Sequence, residues 1–197
     1  MNKRVKSNSI RIIAGVWRGR RLPVLDHQGL RPTTDRVRET VFNWLMHDVA
    51  GAQCLDLFAG SVALGFECLS RGAKAVDFVE TERSVTTTIG QNLELLLGDK
   101  SAEKAEIHNI DALRFLQKKA HKNYDIVFLD PPFQSSVLLK SLQLLLDFDW
   151  LSDNALVYLE HDSSDESLDM PEEFELYRQG KAGQSAYFIY SFSKAKL

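Results

Sequence analysis

The chain has 197 residues, 44% of them hydrophobic, enough to bury one α/β core but leaving no room for a large separate recognition domain. Its formal net charge of −3 conceals an asymmetry, because residues 1–40 carry +7 and the rest of the chain −10, so the basicity is gathered at one end. No apolar run approaches the ~18 residues of a membrane span, and the basic start Met1 to Lys6 is not followed by an apolar signal core, so a cytoplasmic protein is expected.

Ser9 to Val24 reads as a glycine-punctuated β-hairpin. Arg11, Arg18, Arg20, Arg21, Arg31, Arg36 and Arg38 are spread over this hairpin and the start of the following helix, with Trp17 among them. Arginines contact phosphates and an indole stacks on bases, the combination expected of an RNA-holding surface; the competing reading is a solvated basic arm. Thr34 can cap a helix whose apolar positions Val37, Val41, Trp44 and Leu45 follow helical spacing and pack it onto the core.

Cys54 to Leu57 is a short apolar strand running into Phe58-Ala59-Gly60-Ser61-Val62-Ala63-Leu64-Gly65, then a helical pattern to Arg71 and a stop at Gly72. Strand, glycine turn and helix in that order aim free backbone NH groups and a helix amino end at an anionic or carboxylate-bearing ligand. The next strand, Ala75 to Glu80, ends in an acid twenty residues after Gly60, the spacing at which a carboxylate grips ribose hydroxyls, so a nucleoside cofactor is expected. The glycine pattern is incomplete, because Val62 stands at the middle glycine of GxGxxG. Cys54 and Cys68 have no paired spacing for zinc and read as small core residues; no metal is expected. His47, His108, His121 and His161 are scattered without the spacing of a metal site or catalytic dyad.

Ser84 caps the next predicted helix, which runs to Leu97 and stops at Gly98, and Ala105 to Ile110 is a strand leading into Asp111, an N-cap candidate for a further helix. Tyr124 to Leu129 is a continuous apolar run ending in Asp130-Pro131-Pro132-Phe133. Two prolines fix the backbone there and strip it of two donors, leaving a carboxylate, bare carbonyls and one ring. These groups can accept hydrogen bonds from an exocyclic NH2 and stack a base; the same residues also make an ordinary rigid turn. Ser135 to Phe148 reads as an amphipathic helix and Ala155 to Glu160 as a buried strand. An acidic solvated loop around Asp162 to Asp169 follows, then a closing hairpin of Phe174 to Gln179 and Ser185 to Phe192 across Gly180 and Gly183.

The order glycine turn, acidic strand end, Asp111, then Asp-Pro-Pro-Phe resembles a class I S-adenosylmethionine methyltransferase acting on an exocyclic amine. Two more specific stretches, Arg11-Ile12-Ile13-Ala14-Gly15-Val16-Trp17-Arg18-Gly19-Arg20 and Leu30-Arg31-Pro32-Thr33-Thr34-Asp35-Arg36-Val37-Arg38-Glu39-Thr40, resemble the bacterial RsmD family, which methylates the 2-amino group of a guanine in 16S ribosomal RNA. The likeness continues through Asp56 to Gly65, Asp130 to Phe133 and Lys181-Ala182-Gly183-Gln184. It implies an α/β, Rossmann-like fold: a mostly parallel seven-stranded sheet with a carboxyl-terminal antiparallel hairpin. Residues 1–33 would form a small basic hairpin extension that contacts RNA and residues 34–197 the methyltransferase domain. Asp56, Phe58, Ala59, Gly60, Ser61, Gly65, Glu80, Asp111 and Ala112 would bind S-adenosylmethionine, with Asp111 or its adjacent backbone at the adenine. Asp130, Pro131, Pro132 and Phe133 would act on the target base, and Lys181 and Gln184 would join the arginines on the RNA.

The expected partner is 16S rRNA within an assembled or assembling small subunit, and nothing in the pattern demands a second copy of the chain. Val62 departs from the family glycine, and its branched side chain could crowd the methionine portion of the cofactor. Three other functions are open to these residues. One is a DNA adenine amino-methyltransferase, which would use the same Asp-Pro-Pro-aromatic logic but lacks a target-recognition insert here. Another is a nicotinamide-dependent dehydrogenase, which would have no use for Asp130 to Phe133. The third is a non-catalytic RNA-binding relative weakened at Val62.

Overall fold

Two β-strands, β1 (Asn8–Arg11) and β2 (Arg21–Val24), pair antiparallel as an amino-terminal hairpin. The computed structural model describes residues 8–25, 34–60, 62–131, 135–162 and 169–196; Arg31, Ser61, Pro132, Phe133 and most of the acidic loop lie outside them. The remaining strands are β3 (Gln53–Asp56), β4 (Ala75–Glu80), β5 (Ala105–Asn109), β6 (Tyr124–Leu129), β7 (Leu151–Asp162), β8 (Phe174–Ala182) and β9 (Ser185–Phe192). They form one seven-stranded sheet of order β5-β4-β3-β6-β7-β9-β8. Strands β3 to β7 are mutually parallel, while β9 runs antiparallel to β7 and β8 antiparallel to β9. The helices are α1 (Asp35–Trp44), α2 (Ala63–Ser70), α3 (Arg83–Leu97), α4 (Ser101–Lys104), α5 (Ala112–Leu116) and α6 (Ser135–Asp147).

Strand alternation divides the core between the two faces of the sheet. Cys54, Val76, Phe78, Ile126, Phe128, Tyr158 and Ile189 belong to one buried cluster, and their neighbours Leu55, Val79, Val127, Leu129, Val157 and Leu159 to the other. This is why β6 has no polar alternation: both of its faces are covered. Cys54 and Cys68 are both fully buried on the first face. Helix α1 starts at Thr34, whose Oγ1 accepts from the Val37 amide at 3.3 Å, and it buries Val37, Val41 and Phe42.

The hairpin is fastened to that same face. Glu67 on α2 is fully buried and accepts from the amides of Ile13 and Ala14, both at 2.9 Å, and from Arg71 Nε at 2.8 Å. Ser70 Oγ donates to the Ala14 carbonyl at 2.6 Å and accepts from the Trp17 amide at 3.0 Å. Two expected RNA contacts are thereby corrected. Trp17 is 8% exposed and packs in the core with Ile12 and Leu22, so its indole is not offered to a base. Arg38 is 2% exposed, with Nη1 on the Arg11 carbonyl at 3.0 Å and Nη2 on Asp35 at 2.5 Å, so it organises the hairpin–helix junction instead of meeting phosphate. The spacing of basic residues cannot separate these roles, because a guanidinium with carbonyl and carboxylate partners can be buried.

Three boundaries differ from the periodicity. Helix α3 begins at Arg83 behind Glu82, with no side-chain cap bond, so Ser84 lies inside it. Strand β7 begins at Leu151, four residues earlier than expected, because Leu151 already pairs with Tyr124 before a register irregularity that precedes the Ile126–Leu156 pair. Strand β8 continues through Gly180 to Ala182, because its ladder with β9 persists to the turn that ends at Ser185.

At the amino-terminal side of the sheet a polar network is buried. Asp77 accepts from Tyr124 Oη at 2.6 Å and Lys122 Nζ at 2.8 Å, and His108 Nε2 lies 3.2 Å away. Asp77, Glu106 and His108 hold ligand-type atoms within 4.8 Å of one another, but Lys122 Nζ already supplies a cation, 2.8 Å from Asp77 and 3.5 Å from Glu106. Burial pushes the Asp77 carboxyl up, and its bonds from His108, Lys122 and Tyr124 outweigh that and hold it below its ordinary value. A depressed carboxylate stabilises the fold above the unfolded pKa of about 4, and the contribution is lost as pH falls through the lower folded value. Asp77→Asn is expected to cost about 2 kcal/mol at pH 7, and denaturant melts should show the gap to wild type shrinking from pH 5 toward pH 2.

Candidate active site

Strand order reverses between β3 and β6, and ligands bind outside the carboxyl ends of such sheets at that point. Asp56 ends β3 opposite Phe128 of β6, and Asp130 follows β6 directly, so the two carboxylates straddle the switch point. The turn after β3 is held by acids. Gly65 N donates to Asp56 Oδ2 at 3.0 Å, and Gly60 N donates to Glu80 Oε2 at 3.0 Å. Glu80 Oε1 also accepts from the Glu82 amide at 2.8 Å and from Thr81 Oγ1 at 3.2 Å. Position 65 must be glycine, since a Cβ there would lie 2.3 Å from the Phe78 ring and 3.1 Å from Asp56 Oδ2.

This geometry narrows one expectation about the turn. The amides of Gly60 and Val62 are not free for an anion: the first is engaged by Glu80 and the second donates to the Ala59 carbonyl. Two carboxylates, the buried Asp56 and the half-buried Glu80, stand behind the turn instead. Burial pushes Asp56 up to about 7; the Gly65 amide opposes this and the nearby Glu80 charge adds to it. A ligand bringing positive charge to this edge gains by ionising Asp56, and one bringing a pyrophosphate meets repulsion. Of roughly four lone-pair directions, Glu80 uses three among the described residues, one on the turn after β3 and two on its own loop, leaving one acceptor direction for a ribose hydroxyl.

Val62 adopts φ 59° and ψ 7°, left-handed backbone that suits glycine, and its side chain is buried in the core. The turn therefore keeps a glycine-like conformation despite valine, at a strain of about 1–2 kcal/mol. Alanine ordinarily replaces a buried residue at lower cost than glycine, and here that order should invert. Val62→Ala loses packing and keeps the strain, whereas Val62→Gly loses packing and releases it. Thermal melts should find Val62→Gly more stable than Val62→Ala by about 0.5–1 kcal/mol.

Asp111 caps α5, its Oδ1 accepting from Arg114 N at 3.0 Å, and Ala112 is buried behind it. The Ile110 amide bonds to the Glu80 carbonyl at 3.1 Å, which places Asp111 beside the end of β4. The described cofactor candidates Asp56, Phe58, Ala59, Gly60, Gly65, Glu80, Asp111 and Ala112 thus gather at adjacent ends of β3, β4 and β5, next to Asp130 and Pro131. The RNA candidates are more dispersed. Arg18, Arg20 and Arg36 are exposed on the hairpin and α1, Arg11 is exposed but paired with Asp35 at 3.1 Å, and Lys181 and Gln184 are exposed at the β8–β9 turn.

Sequence reasoning missed the group next to Asp130. Tyr158 is fully buried on β7, and its hydroxyl donates to Glu160 at 2.8 Å. Burial pushes the Tyr158 hydroxyl well up, and the charges of Glu160 and Asp130 add to it. Beside them Tyr187 of β9, opposite Glu160, lies 5.5 Å from the Trp44 ring. Glu160 at the end of a buried strand was the available signal, since a carboxylate there needs a reason.

The fold and this site define a class I methyltransferase. The chain belongs to the family described as Conserved hypothetical protein 95, whose model matches residues 10–191, and this is the RsmD family its motifs resemble. It is 47% identical over 184 residues to ribosomal RNA small subunit methyltransferase D of Escherichia coli K12, covering 93% of this chain and 90% of that one. It is 46% identical over 182 residues to the Haemophilus influenzae protein of the same name, covering 92% and 93%. The solved structure of the putative methyltransferase yhhF from Escherichia coli superposes with a TM-score of 0.87 at 44% identity, covering 94% of this chain and 99% of that chain.

Proposed function

We propose that this protein transfers a methyl group from S-adenosylmethionine to the 2-amino group of a guanine in 16S ribosomal RNA, acting in the cytoplasm as a monomer on an assembled or assembling small subunit. The observation that carries the reading is the pairing, across one switch point, of an acid-lined nucleoside turn with Asp130-Pro131. The names of the curated relatives support the ribosomal RNA substrate. The residues at the turn fit the cofactor. Glu80 retains an acceptor direction for ribose, and Asp56 and Glu80 suit a sulfonium and an ammonium, which a dinucleotide's pyrophosphate would not match.

When bound, the cofactor supplies an electrophilic methyl. The chain's own contribution is to hold the nucleophile. Guanine's 2-amino lone pair is delocalised into the ring, and acceptors at Asp130 and the Pro131 carbonyl favour the pyramidal amine whose lone pair can react. Orientation of this kind contributes up to ~7–11 kcal/mol in well-aligned intramolecular reactions. The amine loses its proton after alkylation has made it acidic, so Asp130 need not be a strong base. Pro132 and Phe133 would complete the platform, with the ring stacking the extruded base. Exposed Arg18, Arg20, Arg36, Lys181 and Gln184 would hold the surrounding RNA, and among the described residues no helix is long and apolar enough to cross a membrane.

The test is transfer of labelled methyl from S-adenosylmethionine to small subunits lacking native methylation, with mapping of the modified base. Label on a guanine 2-amino group supports the reading, and label on adenine or on no base overturns it. A preference for subunits over protein-free RNA is expected, because the basic surface carries few base-reading groups.

A further inference from the structure

We propose that Glu160 is the residue that reads the target base as guanine, its carboxylate accepting the N1–H that lies beside the 2-amino group held by Asp130. This rests on the guanine reading above and extends it to the question the Asp-Pro-Pro-Phe sequence leaves open. Acceptors for an exocyclic amine serve adenine and guanine equally well. The two bases differ at the neighbouring ring nitrogen, which is a donor in guanine and an acceptor in adenine, so a second carboxylate next to Asp130 can separate them.

The structure places one there. Leu129 of β6 pairs with Leu159 of β7 in parallel register, so Asp130, which directly follows β6, comes out beside Glu160, which is still within β7. Phe128 and Tyr158 share the sheet face beneath them, with ring centroids 5.9 Å apart. Two residues beyond Tyr158, strand alternation returns Glu160 toward that face. Glu160 is half-buried, and its Oε2 takes the Tyr158 hydroxyl at 2.8 Å. A carboxylate accepts about four hydrogen bonds, so the bond from Tyr158 orients the group without filling it. Tyr187 and the half-buried Trp44 form an aromatic flank on the same side. Glu160 would touch the substrate; Tyr158 is a positioning residue that acts through it.

The test uses the full chain with small subunits reconstituted from RNA carrying either guanine or 2-aminopurine at the methylated position. 2-Aminopurine keeps the 2-amino group but presents an unprotonated N1, an acceptor facing a carboxylate. Wild type is expected to prefer guanine by about 10²-fold or more in kcat/KM. In Glu160→Gln the amide oxygen can still accept from Tyr158 while the NH2 faces the base, so guanine transfer should fall and the guanine/2-aminopurine ratio should collapse or invert. The Kd for S-adenosylmethionine should stay unchanged. Tyr158→Phe, which leaves Glu160 in place but unheld, should lower the same ratio less. Equal loss on both bases in Glu160→Gln, or no change in the ratio, would show a structural role and overturn the proposal. If wild type does not methylate guanine at all, the guanine reading itself falls, an outcome separate from a wild type that discriminates without needing Glu160.

Discussion

Replacing Asp130 with alanine is expected to lower the single-turnover rate of methyl transfer by about 10³-fold, or ~4 kcal/mol, while leaving the Kd for S-adenosylmethionine within about threefold of wild type. The split follows from the topology. The cofactor turn is pinned by bonds from Gly65 to Asp56 and from Gly60 to Glu80, on β3 and β4, whereas Asp130 directly follows β6 across the switch point. Removing its carboxylate takes an acceptor from the amine and leaves those bonds in place. Asp130→Asn keeps an acceptor oxygen and should lose less, about tenfold to a hundredfold. Rapid-mix assays at saturating subunit concentration and a cofactor titration on the same preparations would decide it. Retained turnover in Asp130→Ala would remove this residue from the chemistry, and loss of cofactor binding in parallel would mean that it supports the turn.

The second large effect is on stability. Glu67→Ala should destabilise the protein by about 3 kcal/mol and lower Tm by roughly 6–12 °C, because it leaves the Ile13 and Ala14 amides and Arg71 without their acceptor. Arg71→Ala should cost less, since that side chain is partly exposed and its loss leaves Glu67 still bonded to two amides. Beyond stability, Glu67→Ala should release the hairpin that presents Arg18 and Arg20. Limited proteolysis should then cut within 14–20 faster than elsewhere, and RNA affinity should fall while cofactor affinity holds. A variant that melts like wild type would mean that water satisfies the hairpin amides and that Glu67 is dispensable as a fastening.

Glu67 also shows where sequence reading stopped. A glutamate within an apolar helix pattern looks like a solvent-facing position, and only its contact with residues 53 and 54 positions earlier reveals a buried acceptor. Trp17 and Arg38 erred in the opposite direction, reading as nucleic-acid contacts from type and neighbourhood when both are buried where the hairpin meets α1 and α2. The Asp77 network was invisible for the same reason, since Asp77, His108 and the Lys122–Tyr124 stretch come from three separate segments. Val62 was legible as a departure from the glycine pattern, but that the chain accepts left-handed backbone there with a buried valine was not.

What local chemistry could decide was decided locally. Hydrophobic alternation and continuous apolar runs, capping residues such as Thr34 and Asp111, and the stops at Gly72 and Gly98 set where strands and helices form, because these depend on neighbours a few residues away. The turn after β3, Glu80 and the Asp130-Pro131 edge could be named on the same basis. Tertiary structure decided which of these edges meet and which charged groups face water. Parallel pairing of β3 with β6 brings Asp56 to Asp130, and pairing of β6 with β7 brings Glu160 beside them. Such pairings join residues far apart in the chain, and they are fixed by burial on both faces of the sheet, a property of the assembled core that no single segment carries.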